Sequence, residues 1–124
     1  MMSNPLEHQS YPQWDTGGGC EFCRIIADEA PAQVAYQDDD VIVIHNTLRW
    51  VPVMLLVMPK KHMSQEQMWQ DPVIARVADV AVQMGKAHCP KGFRLLSNFG
   101  HEAMQSQGHG HLHVLGGTHM GRYV

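Results

Sequence analysis

The chain is short of several things. It has no long apolar run: residues 51–58 are the longest, Pro52 interrupts them, and they fall far short of the roughly 20 residues that a membrane helix needs. It has no basic block. Nine Lys and Arg stand against twelve Asp and Glu, a formal charge of −3, so no surface for duplex nucleic acid is expected. Residues 1–19 contain no Lys or Arg and no apolar stretch, so no signal or transit peptide is expected there and the cytoplasm is the expected compartment. Charged residues make up only 17%, yet apolar residues reach 44%, a balance that excludes a disordered or fibrous chain. At 124 residues there is room for one core and not for two.

Cysteine is also scarce. Three cannot pair off completely, and two of them form a C-x-x-C, Cys20 and Cys23. In a reducing compartment that spacing points to metal or redox chemistry before a structural disulfide. Cys89 reads as a bystander near a helix end. Histidine is plentiful instead: nine, against three each of Phe, Tyr and Trp. Imidazole changes charge near neutral pH and is a common metal ligand.

The local patterns divide the chain into a loose arm, residues 1–19, and a domain, residues 20–124. The arm holds two prolines and Gly17-Gly18-Gly19, with no period. Phe22, Ile25 and Ile26 suit one face of a short helix that Pro31 closes. Residues 33–37 and 41–46 read as a hairpin turning at Asp38-Asp39-Asp40. Residues 54–58 read as a buried strand ended by Pro59. Alternation puts Met54, Leu56 and Met58 on one face of it and Leu55 and Val57 on the other. Ser64-Gln65-Glu66-Gln67 is a capping box with Met63 and Met68 as its staple. Asp71-Pro72 starts a second helix, in which Val73, Val77, Val80, Ala81 and Met84 keep helical spacing to about His88. After Pro90 and Gly92 come a strand over 93–98, a polar loop over 100–108 and a last strand over 109–115. Five strands without regular β-α-β alternation predict an α+β domain with an antiparallel sheet, one short N-terminal helix and one long helix.

The chemistry concentrates in His109-Gly110-His111-Leu112-His113-Val114-Leu115. A strand has a side-chain period of two, so His109, His111 and His113 share one face and Leu112 and Val114 the other. A solvent-facing edge more often mixes Lys, Thr and Glu. Two chemical readings remain open from the residues alone. In one, the three imidazoles ligate a zinc that activates water. In the other, one imidazole is a nucleophile or base that its neighbours orient.

This segment resembles the signature of the histidine triad (HIT) family. Gln105-Ser106 upstream, Gly116-Gly117 downstream, Leu56-Val57-Met58-Pro59-Lys60-Lys61-His62 and Cys20-Glu21-Phe22-Cys23-Arg24-Ile25-Ile26 are similar to the family's Hint-like branch, in the family's order. The resemblance implies a five-stranded antiparallel sheet, a homodimer whose sheets join, and purine nucleotides or their conjugates as ligands. It implies hydrolysis or transfer of nucleoside monophosphates by attack on the α-phosphate. His111 would be the nucleophile and His113 its neighbour in the phosphate site, with Asn98, Gln105 and Ser106 donating hydrogen bonds and Asn46 meeting the ribose. The resemblance also implies a structural zinc held by Cys20, Cys23, His62 and His109. His8, His45, His88, His101 and His119 stay surface or loop residues.

Three positions depart from the family pattern. Met54 stands where a further histidine is usual, and a thioether neither donates a hydrogen bond nor holds a charge. Asn46 replaces an acidic residue. Gly110 replaces an apolar one and is expected to weaken its strand. Besides the enzyme, two rivals follow: a nucleotide-binding module of the same fold with little turnover, favoured by Met54 and Asn46, and a zinc hydrolase using the three histidines directly.

Overall fold

Asp38 turns the first hairpin. Its carboxylate accepts the backbone N–H groups of Asp40 and Val41 at 2.8 Å each, which closes the bend between β1 (Val34–Gln37) and β2 (Val41–His45). The same carboxylate accepts from Tyr36 Oη and from the Arg76 guanidinium, fastening the hairpin to the long helix. These donors, the Asp40 N–H first, hold the Asp38 carboxyl well below its usual range.

The structure is a computed structural model and describes residues 19–122. The arm expected over 1–19 therefore lies outside the described residues, apart from Gly19. A short helix α1 (Glu21–Ile26) precedes the hairpin. β3 (Val53–Pro59) follows it, then α2 (Gln65–Gln70), α3 (Val73–His88), β4 (Phe93–Leu96) and β5 (Leu112–Gly116). Every pairing is antiparallel and the sheet order is β1-β2-β3-β5-β4. The α+β architecture expected from the sequence is the one observed, with two short helices rather than one. Among the described residues no helix is long and apolar enough to cross a membrane.

The helix boundaries follow from their caps. Ser64 Oγ accepts from Gln67 N while Gln67 Oε1 accepts from Ser64 N, the reciprocal box read from the sequence. Asp71 Oδ1 accepts from Val73 N at 2.8 Å, and Pro72 already has helical dihedrals, so the next helix starts as expected.

Strand alternation sorts the core into two layers. Val41, Val43, Leu55, Val57, Leu112 and Val114 face α3, where they meet Val77, Val80, Ala81 and Met84. Ile42, Ile44, Leu56 and Met58 face the other side, which Phe22 and Cys20 of the α1 segment cover. Leu56 lies opposite His113 in the β3–β5 register, so His113 is on the α1 side.

Two strands are shorter than expected. β4 ends at Leu96 and not at residue 98, and β5 begins at Leu112 and not at residue 109. Residues 109–111 leave the ladder because their donors turn toward the start of α2. Gly110 N donates to Met63 O at 2.7 Å, and His111 N to Gln65 Oε1 at 2.8 Å. Gly110 is thus a close-approach residue rather than a weakened strand position. A Cβ there would stand 2.8 Å from Met68 Cβ and 2.9 Å from Ser64 O.

A Gly110→Ala substitution therefore forces either α2 or the histidine segment to shift. We expect a loss of about 1–3 kcal/mol in unfolding free energy, the usual cost of overpacking a filled site. Urea denaturation of the two proteins measures it. An alanine variant as stable as the parent would show that the segment moves freely there.

Candidate active site and metal centre

The first cluster is built at the start of α1. Cys20 is the helix N-cap, its Sγ accepting from Cys23 N at 3.3 Å, so the cap geometry itself points both sulfurs the same way. His62 arrives from the turn after β3, and His109 from the approach to β5. The Cys20, Cys23, His62 and His109 donor atoms all lie within 4.8 Å of one another. His62 Nδ1 and His109 Nδ1 are 3.2 Å apart. Cys23 Sγ is 3.3 Å from His62 Nδ1 and 3.6 Å from His109 Nδ1, and Cys20 Sγ is 3.5 Å from His109 Nδ1. A tetrahedral zinc has edges of about 3.3 Å between nitrogens and about 3.6 Å between nitrogen and sulfur, given its usual bond lengths. The donor set and its spacing fit such an ion.

The tautomer of His109 agrees. Its Nε2–H donates to Pro59 O at 2.7 Å, which leaves the Nδ1 lone pair facing the thiols. Burial lowers the His109 pKa to about 4, so the ring is neutral. Burial and the neighbouring Cys20 thiol push the Cys23 thiol up to about 11. By itself the Cys23 thiol holds its proton; a divalent cation reverses that balance and displaces it.

The second cluster begins one residue further on. His111 is buried, and its Nδ1–H donates to the His109 carbonyl at 2.7 Å. That bond fixes the tautomer and leaves the lone pair on Nε2. Burial lowers the His111 pKa, opposed by the same carbonyl, so the imidazole is neutral and its lone pair available. The His111 and His113 ring centroids are 5.0 Å apart. Phe22 packs edge-on against both His109 and His111, at 5.9 and 5.3 Å. Asn98 Nδ2 stands 3.5 Å from His113 Nε2.

Not every expected residue joins this group. Gln105 spends its amide inside its own loop: Oε1 accepts from Gly100 N and Nε2 donates to Gln107 O. Ser106 is exposed on that loop. Asn46 Oδ1 accepts from Leu48 N at 3.0 Å, an Asx turn at the end of β2. Met54 is buried on the face that carries His113, opposite Leu115, and its Sδ accepts from Trp50 N at 3.1 Å. The three triad histidines do not present themselves to one ion, because both His109 nitrogens are committed elsewhere and His111 Nδ1 is held by a carbonyl. His45, expected on the surface or in a loop, is instead half-buried at the end of β2 with its ring 6.3 Å from that of His88, whereas His88, His101 and His119 are exposed and His8 lies outside the described residues.

One residue of the site escaped the sequence reading. Gln65 is fully buried, yet a capping-box position normally faces water. Its Oε1 accepts from His111 N, and its Nε2 donates to Asn98 O at 3.2 Å. Its spacing of three from Met68 was the available signal, since that interval puts both on one face of α2.

Comparison with known proteins agrees with this geometry. The HIT domain family model matches residues 27–120. Protein HitA of Neisseria gonorrhoeae is 30% identical over 101 residues, which cover 78% of this chain and 94% of that protein. A HIT family hydrolase from Clostridium thermocellum superposes with a TM-score of 0.77 at 32% identity, over 86% of this chain and 97% of the other. A Zn-bound histidine triad family protein from Mycobacterium smegmatis gives 0.70 at 28% identity, over 82% and 76%.

The buried imidazoles set a pH dependence. Burial first, and then His111, lower the His113 pKa from 6.5 to about 4. Between those values the unfolded chain binds a proton that the folded chain refuses. The stability contribution is therefore complete above about pH 6.5 and is lost as pH falls toward about 4. His109 and His111 act in the same direction. Urea midpoints at about pH 7.5 and about pH 5 should differ in the parent, and differ less in a His113→Gln variant. Equal losses in the two proteins would remove His113 from this account.

Proposed function

The chain belongs to the histidine triad (HIT) family and has the fold of HIT family hydrolases, and on that premise we propose that it hydrolyses or transfers nucleoside monophosphates from nucleoside phosphoramidates or related nucleotides. The observation that carries this reading is the His111 Nδ1–H···O=C bond to His109, which leaves a neutral imidazole with its lone pair on Nε2. Nε2 attacks the α-phosphorus, the bond to the leaving amine breaks, and the amine takes up a proton. Water then attacks phosphorus, releasing the nucleoside monophosphate and restoring the imidazole. Two displacements replace one harder one. His113, with Asn98 beside it, lies next to the reacting phosphate, where positioned donors stabilise developing charge. Gln105 and Ser106 join them when the loop opens its internal bonds, and Asn46 meets the ribose of a purine nucleotide.

Zinc is the metal best suited to Cys20, Cys23, His62 and His109, a closed Cys₂His₂ set. Its role is structural: it fastens His109, α1 and the end of β3 together and takes no part in bond making. The cytoplasm suits these cysteines, because reducing conditions keep thiols available for a metal. A homodimer fits the edge strand β4, whose Leu95 is 37% exposed with Phe99 nearby at 50%, apolar surface that a second copy would cover while the sheets join.

Met54 favours a second reading, a nucleotide-binding module with little turnover. Its sulfur is engaged by Trp50 N and supplies no proton to the site.

Native mass spectrometry after brief reaction with adenosine 5′-phosphoramidate tests these readings together. We expect a dimer with one zinc per chain and a covalent nucleotide, absent from His111→Ala, whose turnover falls on the order of a thousandfold or more. Cys20→Ser should lose the metal and melt at a lower temperature. A parent that binds nucleotide without forming the adduct supports the binding module. Wild-type hydrolysis by His111→Ala removes the nucleophile proposed here, a Cys20→Ser protein that keeps its zinc removes the ligand set, and a monomer removes the joined sheet.

A further inference from the structure

The place where β4 and β5 part company is held open by a side chain. Their register runs from Phe93↔Gly116 to Leu96↔His113. Two residues further it would set Asn98 opposite His111. The ladder does not continue there. The Gln65 amide lies between the two backbones instead: His111 N–H donates to Oε1 at 2.8 Å, and Nε2 donates to Asn98 O at 3.2 Å. A primary amide has the acceptor and donor of a peptide group, so it takes the place of a missing rung while keeping the strands apart.

Two more contacts hold the same backbone. Ser97 Oγ donates to His111 O at 2.8 Å, and Ser97 Oγ accepts in turn from Trp69 Nε1 at 3.3 Å. Gln65 and Trp69 are four apart on α2 and so stand one above the other on the helix. The N–H of His111 is thus fixed by α2 directly, and its carbonyl through Ser97. Gln65 is 0% exposed, so neither end of its amide has water as an alternative partner.

We propose that Gln65 is a positioning residue for the reaction of His111, a reading that rests on the function proposed above. It fixes the backbone that carries the nucleophilic ring and, by the other end of the same amide, the backbone that carries Asn98. The gap it keeps between Asn98 and His111 lies beside His113, where the nucleotide phosphate is to be held. Removing the amide lets the strand ends close or drift and misaligns Nε2 without removing any group that touches substrate.

The test compares the parent with Gln65→Met, which keeps the volume and loses the amide, and Gln65→Glu, which keeps the acceptor for His111 N–H. With adenosine 5′-phosphoramidate, Gln65→Met should lower kcat roughly tenfold to a hundredfold, as expected for a small misplacement of a reacting group, with KM changed by less than about threefold. Gln65→Glu should recover part of kcat. Hydrogen exchange at the His111 amide should be slow in the parent and faster in Gln65→Met. A Gln65→Met protein that melts like the parent and keeps its kcat overturns the proposal, as does a rise in KM with kcat unchanged. If the parent itself turns nothing over, the hydrolase reading fails separately, and unchanged protection of the His111 amide in Gln65→Met would then overturn the positioning role.

Discussion

His109 works in two directions, and the rest of the site is arranged around that. Its side chain enters the thiol and imidazole cluster through Nδ1 and reaches the end of β3 through Nε2. Its carbonyl fixes the His111 tautomer. A residue immobilised on both ring nitrogens makes a rigid acceptor, and a rigid acceptor holds the next imidazole in one orientation at little further entropic cost. The two cysteines at the start of α1 thereby bear on the His111 ring from a distance. They hold Phe22 against both imidazoles as well, so a helix of six residues, too short to be stable alone, has a defined place.

Much of this was readable from residue order, for identifiable reasons. The hairpin around Asp38, the reciprocal Ser64–Gln67 cap and the two faces of β3 are local, and their signals lie within a few residues. The ligand set came from the likeness of four separated segments to one family, since spacing alone says nothing about residues 20 and 109 meeting. The limits of β4 and β5 were not readable. Period two continues through residues 109–113 in the sequence, but the hydrogen bonds that define a strand stop at Leu112, because Met63 and Gln65 take the donors first. Gln65 was hidden for a related reason. A capping box is normally a surface feature, and only the approach of the histidine segment buries this one.

Met54 stands where the likeness to the family leads one to expect a histidine, and in this fold it holds a backbone N–H. Its sulfur accepts from the backbone of Trp50, so the turn between β2 and β3 is tied back to β3 by a weak acceptor. Trp50 itself is 78% exposed. The Met54 sulfur thus has a structural task in this chain, and the same loop begins with the Asx turn of Asn46. Both departures meet in one segment and shape it together.

The sheet order has a consequence for synthesis on the ribosome. β4 bonds only to β5, and β5 enters between β3 and β4. The meander β1-β2-β3 pairs as soon as it is made. β4 then emerges with no partner, and the free edge of β3 stays open until residues 112–116 arrive to fill the slot between them. The same late segment carries the imidazoles at its threshold. Vectorial folding therefore ends with one insertion that closes the sheet and brings His111 and His113 to their neighbours in the same event, and a nascent chain stalled before it presents the open edge of β3 and a wholly unpaired β4 to its surroundings.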